Sequence, residues 1–272
     1  MDPLITPVRE PAVAGKFYPG TRTALEQSVK EMIGQGPARD ALGVMAPHAG
    51  YMYSGRVAGE VYGDVRLPHT FVILGPNHSG LGTAASIMDS GIWRLPGGDA
   101  VIDENLAFSI LSHSRSLAVD DKAHLFEHSI EVQLPFLQYL VGEIKFVPIS
   151  MMVSSVDYCR DIGLAVAAAI KAAPGSVLVI ASSDMTHYET QAVAQEKDQL
   201  AIKHLLELDP VGLLETVQAH HISMCGVAPA AAMLFACKEL GAREAMLARY
   251  ETSGDVTGDY NQVVGYAGVV VS

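Results

Sequence analysis

His48 and His78 each follow a short apolar run and sit among turn-forming residues, in APHAG and GPNHSG. Asp184 and His187 close a third such run, in ASSDMTHY, and Cys225 lies in SMCGVAP. Imidazole is the commonest metal-binding side chain, so two histidines placed alike in separate segments point to a shared metal. A third ligand is needed, and two candidates stand open. Asp184 would complete the two-histidine, one-carboxylate set of non-haem iron(II) oxygenases, whereas Cys225 would give a softer set suited to zinc, copper or iron. A helix beginning just after Cys225 would lower its pKa and favour the thiolate. If Asp184 opens a turn or helix, His187 returns to the same side one turn later and could serve as a general acid or base. The structural alternatives are a histidine bonding loop carbonyls, an aspartate capping a helix and a cysteine packed as a small hydrophobe. Cys159 and Cys237 are read in that last way.

HLFEHSIE adds His124, His128 and Glu131, whose spacings of four and three place them on one helical face. Glu127 precedes His128 with no histidine three residues beyond, so this is not HExxH. Pocket-lining roles, or roles behind the ligands, suit the cluster better than a second metal. The chain has no P-loop, GxGxxG, CxxC or GxSxG, so nucleotide cofactors and lipase-type serine chemistry lack support.

These side chains need strands that end together. Residues 42–46, 70–74 and 177–181 are apolar runs bounded by turn residues, as buried strands are. In open α/β sheets, ligands bind at the carboxyl ends of such strands. Thr23 to Glu26 reads as a capping box for a helix carrying Leu25, Val29, Met32 and Ile33, with Gly34 as its stop. A short helix is expected from Gly55, a hairpin or long loop within 81–102, and a helix capped by Asp103. Residues 124–142 read as helical, with Pro135 forcing a kink or a late start. Further elements are a strand at 145–150, helices at 157–173 and 191–208, and a helix with Pro229 in its first turn. Residues 262–272 read as a strand at the sheet edge, and the Pro-rich first twenty residues as an extended arm over the core. Alternating strands and helices predict an α/β layered sheet flanked by helices, and the absence of any linker predicts one domain over 1–272.

Composition narrows the partners. With 272 residues, 49% hydrophobic and 18% charged, the chain can build a sizeable core. A net charge of −12 argues against nucleic acid and against an anionic membrane surface. Three cysteines at no regular spacing make no disulfide framework and suit a reducing cytosol. No basic-then-apolar leader opens the chain, and no apolar run approaches the ~20 residues of a membrane span. A cytoplasmic protein is expected.

Taken together, AGKFYP, APHAGYMYSG, LGPNHSG, EHSIEVQLPFL, ASSDMTHY and SMCGVAP, in that order, resemble the MEMO family from about Val8 to the C-terminus. The resemblance implies the fold of the class III extradiol (LigB-like) dioxygenases, a central sheet flanked by helices. It implies a metal at His48, His78 and Cys225, with Asp184 and His187 beside it, and so tips the choice of third ligand to the cysteine. Those dioxygenases use two histidines and a glutamate on iron. A thiolate in place of the carboxylate alters the iron and is itself oxidisable, which departs from ring cleavage. Family members are associated with iron or copper binding and redox activity, and a eukaryotic member with phosphotyrosine peptides. Prokaryotic members accompany AMMECR1-like and radical-SAM proteins. The expected activity is metal-dependent oxidoreductase chemistry on a small molecule, with zinc as an alternative metal. The competing readings are a module that binds a small molecule or peptide in the same pocket, and metal-free Cys–His nucleophilic chemistry.

Overall fold

The computed structural model describes residues 6–272. Its strands are β1 (Val8–Arg9), β2 (Gly43–Ala46), β3 (Thr70–Pro76), β4 (Ala85–Ile87), β5 (Ile92–Trp93), β6 (Ala100–Ile102), β7 (Ala118–Val119), β8 (Lys145–Met151), β9 (Val177–Ser182), β10 (His187–Glu189), β11 (Ala245–Thr252) and β12 (Val263–Val271). The helices are α1 (Arg22–Met32), α2 (Tyr51–Asp64), α3 (Glu104–His113), α4 (Leu134–Val141), α5 (Val156–Ala172), α6 (Gln191–Leu206), α7 (Pro210–Ala219), α8 (Val227–Glu239) and α9 (Gly254–Thr257).

The heart of the sheet is parallel, in the order β6, β8, β3, β9, β2. Its strands are apolar on both faces because both faces are covered. Alternation along β3 divides them: Val72 and Leu74 enter the core beneath α5 and α8, and Phe71 and Ile73 the core beneath α1, α2 and α4. This is the α/β layered arrangement that the sequence predicts. Because β2, β3 and β9 run parallel, their carboxyl ends reach the same rim.

Several local expectations need correction. β12 lies inside the sheet, between β2 and β11, and not at its edge. Helix α1 begins at Arg22 with Thr21 as its cap residue, so Thr23 and Glu26 stand too far along to form a capping box. Helix α2 begins at Tyr51, four residues before Gly55. Its first free donor, the Tyr51 N–H, reaches the Phe17 carbonyl of the N-terminal arm at 2.7 Å, so the arm supplies the cap. Pro135 does mark a late helix start, with α4 opening at Leu134. Residues 125–130 are not helical. Asp103 caps α3, accepting from the Leu106 N–H at 3.1 Å, and β5 and β6 pair antiparallel as the expected hairpin. No described helix is long and apolar enough to cross a membrane.

Candidate metal centre

His48 stands two residues beyond β2 and is buried. Its backbone N–H donates to Asp184 Oδ1 at 2.7 Å, its Nδ1 lies 2.9 Å from Ser182 Oγ, and its Nε2 lies 3.2 Å from Cys225 Sγ. Burial, then the neighbouring His128 and His78, holds the ring well below the usual histidine pKa. His78 stands two residues beyond β3 and is half-exposed. Its N–H donates to Glu127 Oε2 at 2.6 Å and its Nδ1 pairs with Glu127 Oε1 at 2.9 Å. Burial works against protonation there, but the hydrogen bond and charge of Glu127 outweigh it and raise the pKa. With Nδ1 engaged, Nε2 is the free nitrogen of His78.

His128 completes a histidine triangle. Its ring stacks on His78 at 4.8 Å and meets His48 edge-on at 5.5 Å. One nitrogen from each of His48, His78 and His128 falls within 4.8 Å of the others. Glu127 lies beneath two of them, since its Oε1 is also 3.6 Å from His128 Nδ1. Burial would raise the Glu127 pKa, but the His78 ring and the N–H groups of His78 and Ser129 hold the carboxylate down at about 2. Asp184, almost fully buried, fixes the His48 turn and offers its own N–H to Cys225 Sγ at 3.3 Å. Burial raises its pKa, against the backbone N–H of His48 and the charge of His187.

Two close approaches explain glycines here. A Cβ on Gly75 would come within 2.6 Å of Ser129 Oγ, and one on Gly226 within 2.4 Å of the Ser182 carbonyl. Only glycine lets β3 and the start of α8 close on this rim.

The residues singled out by sequence fall as follows. His48, Asp184 and Cys225 touch one another, and His78 joins them through the His48–His78 ring contact at 5.3 Å. His187 is the first residue of β10, reached through irregular backbone and not by a turn of helix. Its N–H donates to Ser223 Oγ and its Nδ1 to the Ser223 carbonyl, at 2.7 and 2.9 Å. The carbonyl can only accept, so His187 Nε2 is free to face the groove. Cys225 does precede α8, but burial first and then the Asp184 charge push its thiol up, the opposite of the expected lowering. At this partly buried position beside the Asp184 carboxylate, the helix terminus does not win.

His124, His128 and Glu131 do not share a helical face, because no helix joins them. His124 packs against Trp93 at 5.8 Å, His128 lies against His48 and His78 in the candidate metal centre, and Glu131 pairs with Arg9 at 2.6 Å in full burial. Glu127 is the residue of the candidate site that the sequence did not single out, along with Ser182 and Gln133 behind His48. The one signal for it was the Glu–His pair in HLFEHSIE. A groove of about 630 Å³ opens beside the centre, lined by Lys16, Phe17, Tyr53, His128, His187 and Tyr188 among others.

A family model described as Memo-like protein matches residues 9–270. The chain belongs to the Memo-like family. A MEMO1 family protein of Methanopyrus kandleri is 44% identical over 277 residues, covering 96% of this chain and 98% of the relative. A Methanocaldococcus jannaschii MEMO1 family protein is 44% identical over 284 residues, covering 97% and 99%. Among solved structures, an uncharacterised Escherichia coli K12 protein superposes with a TM-score of 0.56 at 13% identity, over 84% of this chain and 98% of its own. That likeness speaks for the fold alone. Within this Memo-like fold, the donor set fits a metal ion. Imidazole nitrogens converge, the outer nitrogens of His48 and His78 are taken by other partners, and a thiol adjoins.

Proposed function

We propose that this Memo-like protein holds one redox-active metal ion, iron or copper, through His48, His78 and Cys225, and acts on a small molecule in the adjoining groove. The observation that supports the reading is the convergence of one nitrogen from each of His48, His78 and His128 within 4.8 Å of the others, with the Cys225 thiol 3.2 Å from His48 Nε2. Zinc would suit the same donors but would give no redox chemistry. When bound, iron or copper would supply one-electron chemistry.

The protein's own groups do the rest. Asp184 holds the His48 turn through the His48 N–H and faces the groove. His187 presents Nε2 to the groove and takes or gives a proton there, its Nδ1 being fixed on Ser223. A non-enzymatic module for a small molecule or peptide is the second reading. It is favoured by the aromatic rim of Phe17, Tyr53 and Tyr188, the last 75% exposed.

The test is elemental analysis after anaerobic purification, on wild type and on His78→Ala, Cys225→Ser and Asp184→Asn. Near-stoichiometric iron or copper in the wild type and in Asp184→Asn, lost with His78→Ala and diminished or changed in spectrum with Cys225→Ser, is the expected result. Metal lost with Asp184→Asn and untouched by Cys225→Ser would overturn the thiolate assignment. No metal in any of them would leave the binding module.

A further inference from the structure

Behind His48 lies a closed set of hydrogen bonds whose donors and acceptors can be assigned one by one. Ser182, Ser129, Gln133 and Tyr62 are all buried. Ser182 Oγ has three close partners: the Ser129 carbonyl at 2.6 Å, Gln133 Nε2 at 2.8 Å and His48 Nδ1 at 2.9 Å. The carbonyl can only accept, so the single hydroxyl proton of Ser182 goes to Ser129. Gln133 is not free to turn over. Its nitrogen also meets the Pro47 carbonyl at 3.0 Å, where an amide oxygen would be repelled, and its Oε1 takes the Tyr62 hydroxyl at 2.7 Å. The amide nitrogen therefore donates to Ser182. With its proton spent and one lone pair filled, Ser182 Oγ can only accept from His48.

We infer that Ser182, oriented by Ser129 and Gln133, is a positioning residue that locks His48 with its proton on Nδ1 and leaves Nε2 bare toward Cys225. The opposite arrangement would need Ser182 to donate to His48, which strands the Ser129 carbonyl in a dry interior. Bare Nε2 also accounts for the 3.2 Å approach of the Cys225 thiol, whose S–H then has an acceptor. Ser182 ends β9 and Gln133 stands just before α4, so two elements from opposite halves of the chain fix one nitrogen. The part of this inference that concerns metal affinity rests on the proposed metal reading; the part that concerns the proton does not.

The test is ¹⁵N NMR of the histidine rings in metal-free protein, with His48 assigned by its loss in His48→Gln. Wild type is expected to show a protonated Nδ1 and an unprotonated Nε2 for His48. Ser182→Ala is expected to give a mixture of the two forms, with a lowered thermal midpoint because the Ser129 carbonyl and the Gln133 amide lose their buried partner. Tyr62→Phe, which removes a bond from the same network without touching Ser182, is expected to leave the ring as in wild type. Iron(II) titrated anaerobically should bind Ser182→Ala about 10–100-fold more weakly than wild type, as when other groups behind a metal ligand are removed. A proton on Nε2 in wild type would overturn the inference, and that spectrum decides even where the variant does not fold. An unchanged His48 signal in Ser182→Ala would also overturn the role of Ser182. The expected ring spectra with no binding of iron(II) or, in a parallel titration, of copper by either protein would uphold the positioning and sink the metal reading.

Discussion

The two carboxylate oxygens of Glu127 accept from four donors: the backbone N–H groups of His78, His128 and Ser129, and the His78 ring. A carboxylate can do this because both oxygens only accept. An amide in the same place cannot, since one end carries hydrogens that would face an N–H. Glu127→Gln is therefore expected to strand at least one buried donor, at about 1–3 kcal/mol. It should also weaken metal binding about 10–100-fold, as loss of the partner behind a metal-bound histidine does elsewhere. Denaturant titration and metal titration check the two effects separately; wild-type values in both would mean that Glu127 merely fills space. At this scale the candidate ligands were legible in the sequence, because histidines and cysteines beside turn residues after apolar runs are conspicuous. The groups that aim them were not. Ser182, Gln133 and Glu127 are ordinary residue types, and their tasks depend on partners 49 to 134 positions away.

At the scale of elements, the N-terminal arm is tied to the irregular segment 124–131 chiefly through Arg9 and Glu131. Arg9 Nε donates to the His124 carbonyl and Nη2 to the Glu127 carbonyl, while its guanidinium sits 4.0 Å from the Trp93 ring centroid. Glu131 receives Arg9, the Tyr18 hydroxyl and the N–H groups of Ala12 and Val13. Neither charge reaches solvent, so removing one leaves the other uncompensated. Arg9→Met is expected to cost about 3–5 kcal/mol, and Glu131→Gln to speed hydrogen exchange at Ala12 and Val13 before the sheet is affected. Exchange at those two amides equal to wild type would show that the arm is held by apolar packing alone. The parallel strands could be read from sequence because burial on both faces leaves unbroken apolar runs. The segment 124–130 could not. Its spacing imitates a helix, but Arg9 takes the His124 and Glu127 carbonyls and the Glu127 carboxylate takes nearby N–H groups, which replaces helical bonding with cross-chain bonding. Helix α2 was misplaced for a related reason, since its first N–H is capped from the arm.

For the whole molecule, acid is the condition that probes how these buried groups add up. His124 is fully buried with no hydrogen-bond partner for either ring nitrogen among the described residues. Burial, and then the Arg9 charge, lowers its pKa to about 4, against about 6.5 in an unfolded chain. Between those values the unfolded chain binds a proton that the folded chain refuses, so stability falls as pH falls from 6.5 to 4. One such group accounts for about 3 kcal/mol across the whole interval. His48 pulls in the same direction, for burial lowers it too. Glu127, held at about 2 by its donors, extends the loss to more acid conditions, below the ordinary glutamate range. Asp184 and Asp198 oppose it, because burial raises their pKa values and the folded chain takes up those protons first. His124→Leu removes the titration and gives up only a marginal contact with the Ser86 backbone. The variant's stability in metal-free protein should therefore depend less steeply on pH between 6 and 5, by about 1.4 kcal/mol per pH unit. Denaturant midpoints at matched pH values measure that slope. Parallel slopes for wild type and His124→Leu would mean that His124 takes up its proton as readily in the folded chain as in the unfolded one, and that acid sensitivity in this range comes from other groups such as His48.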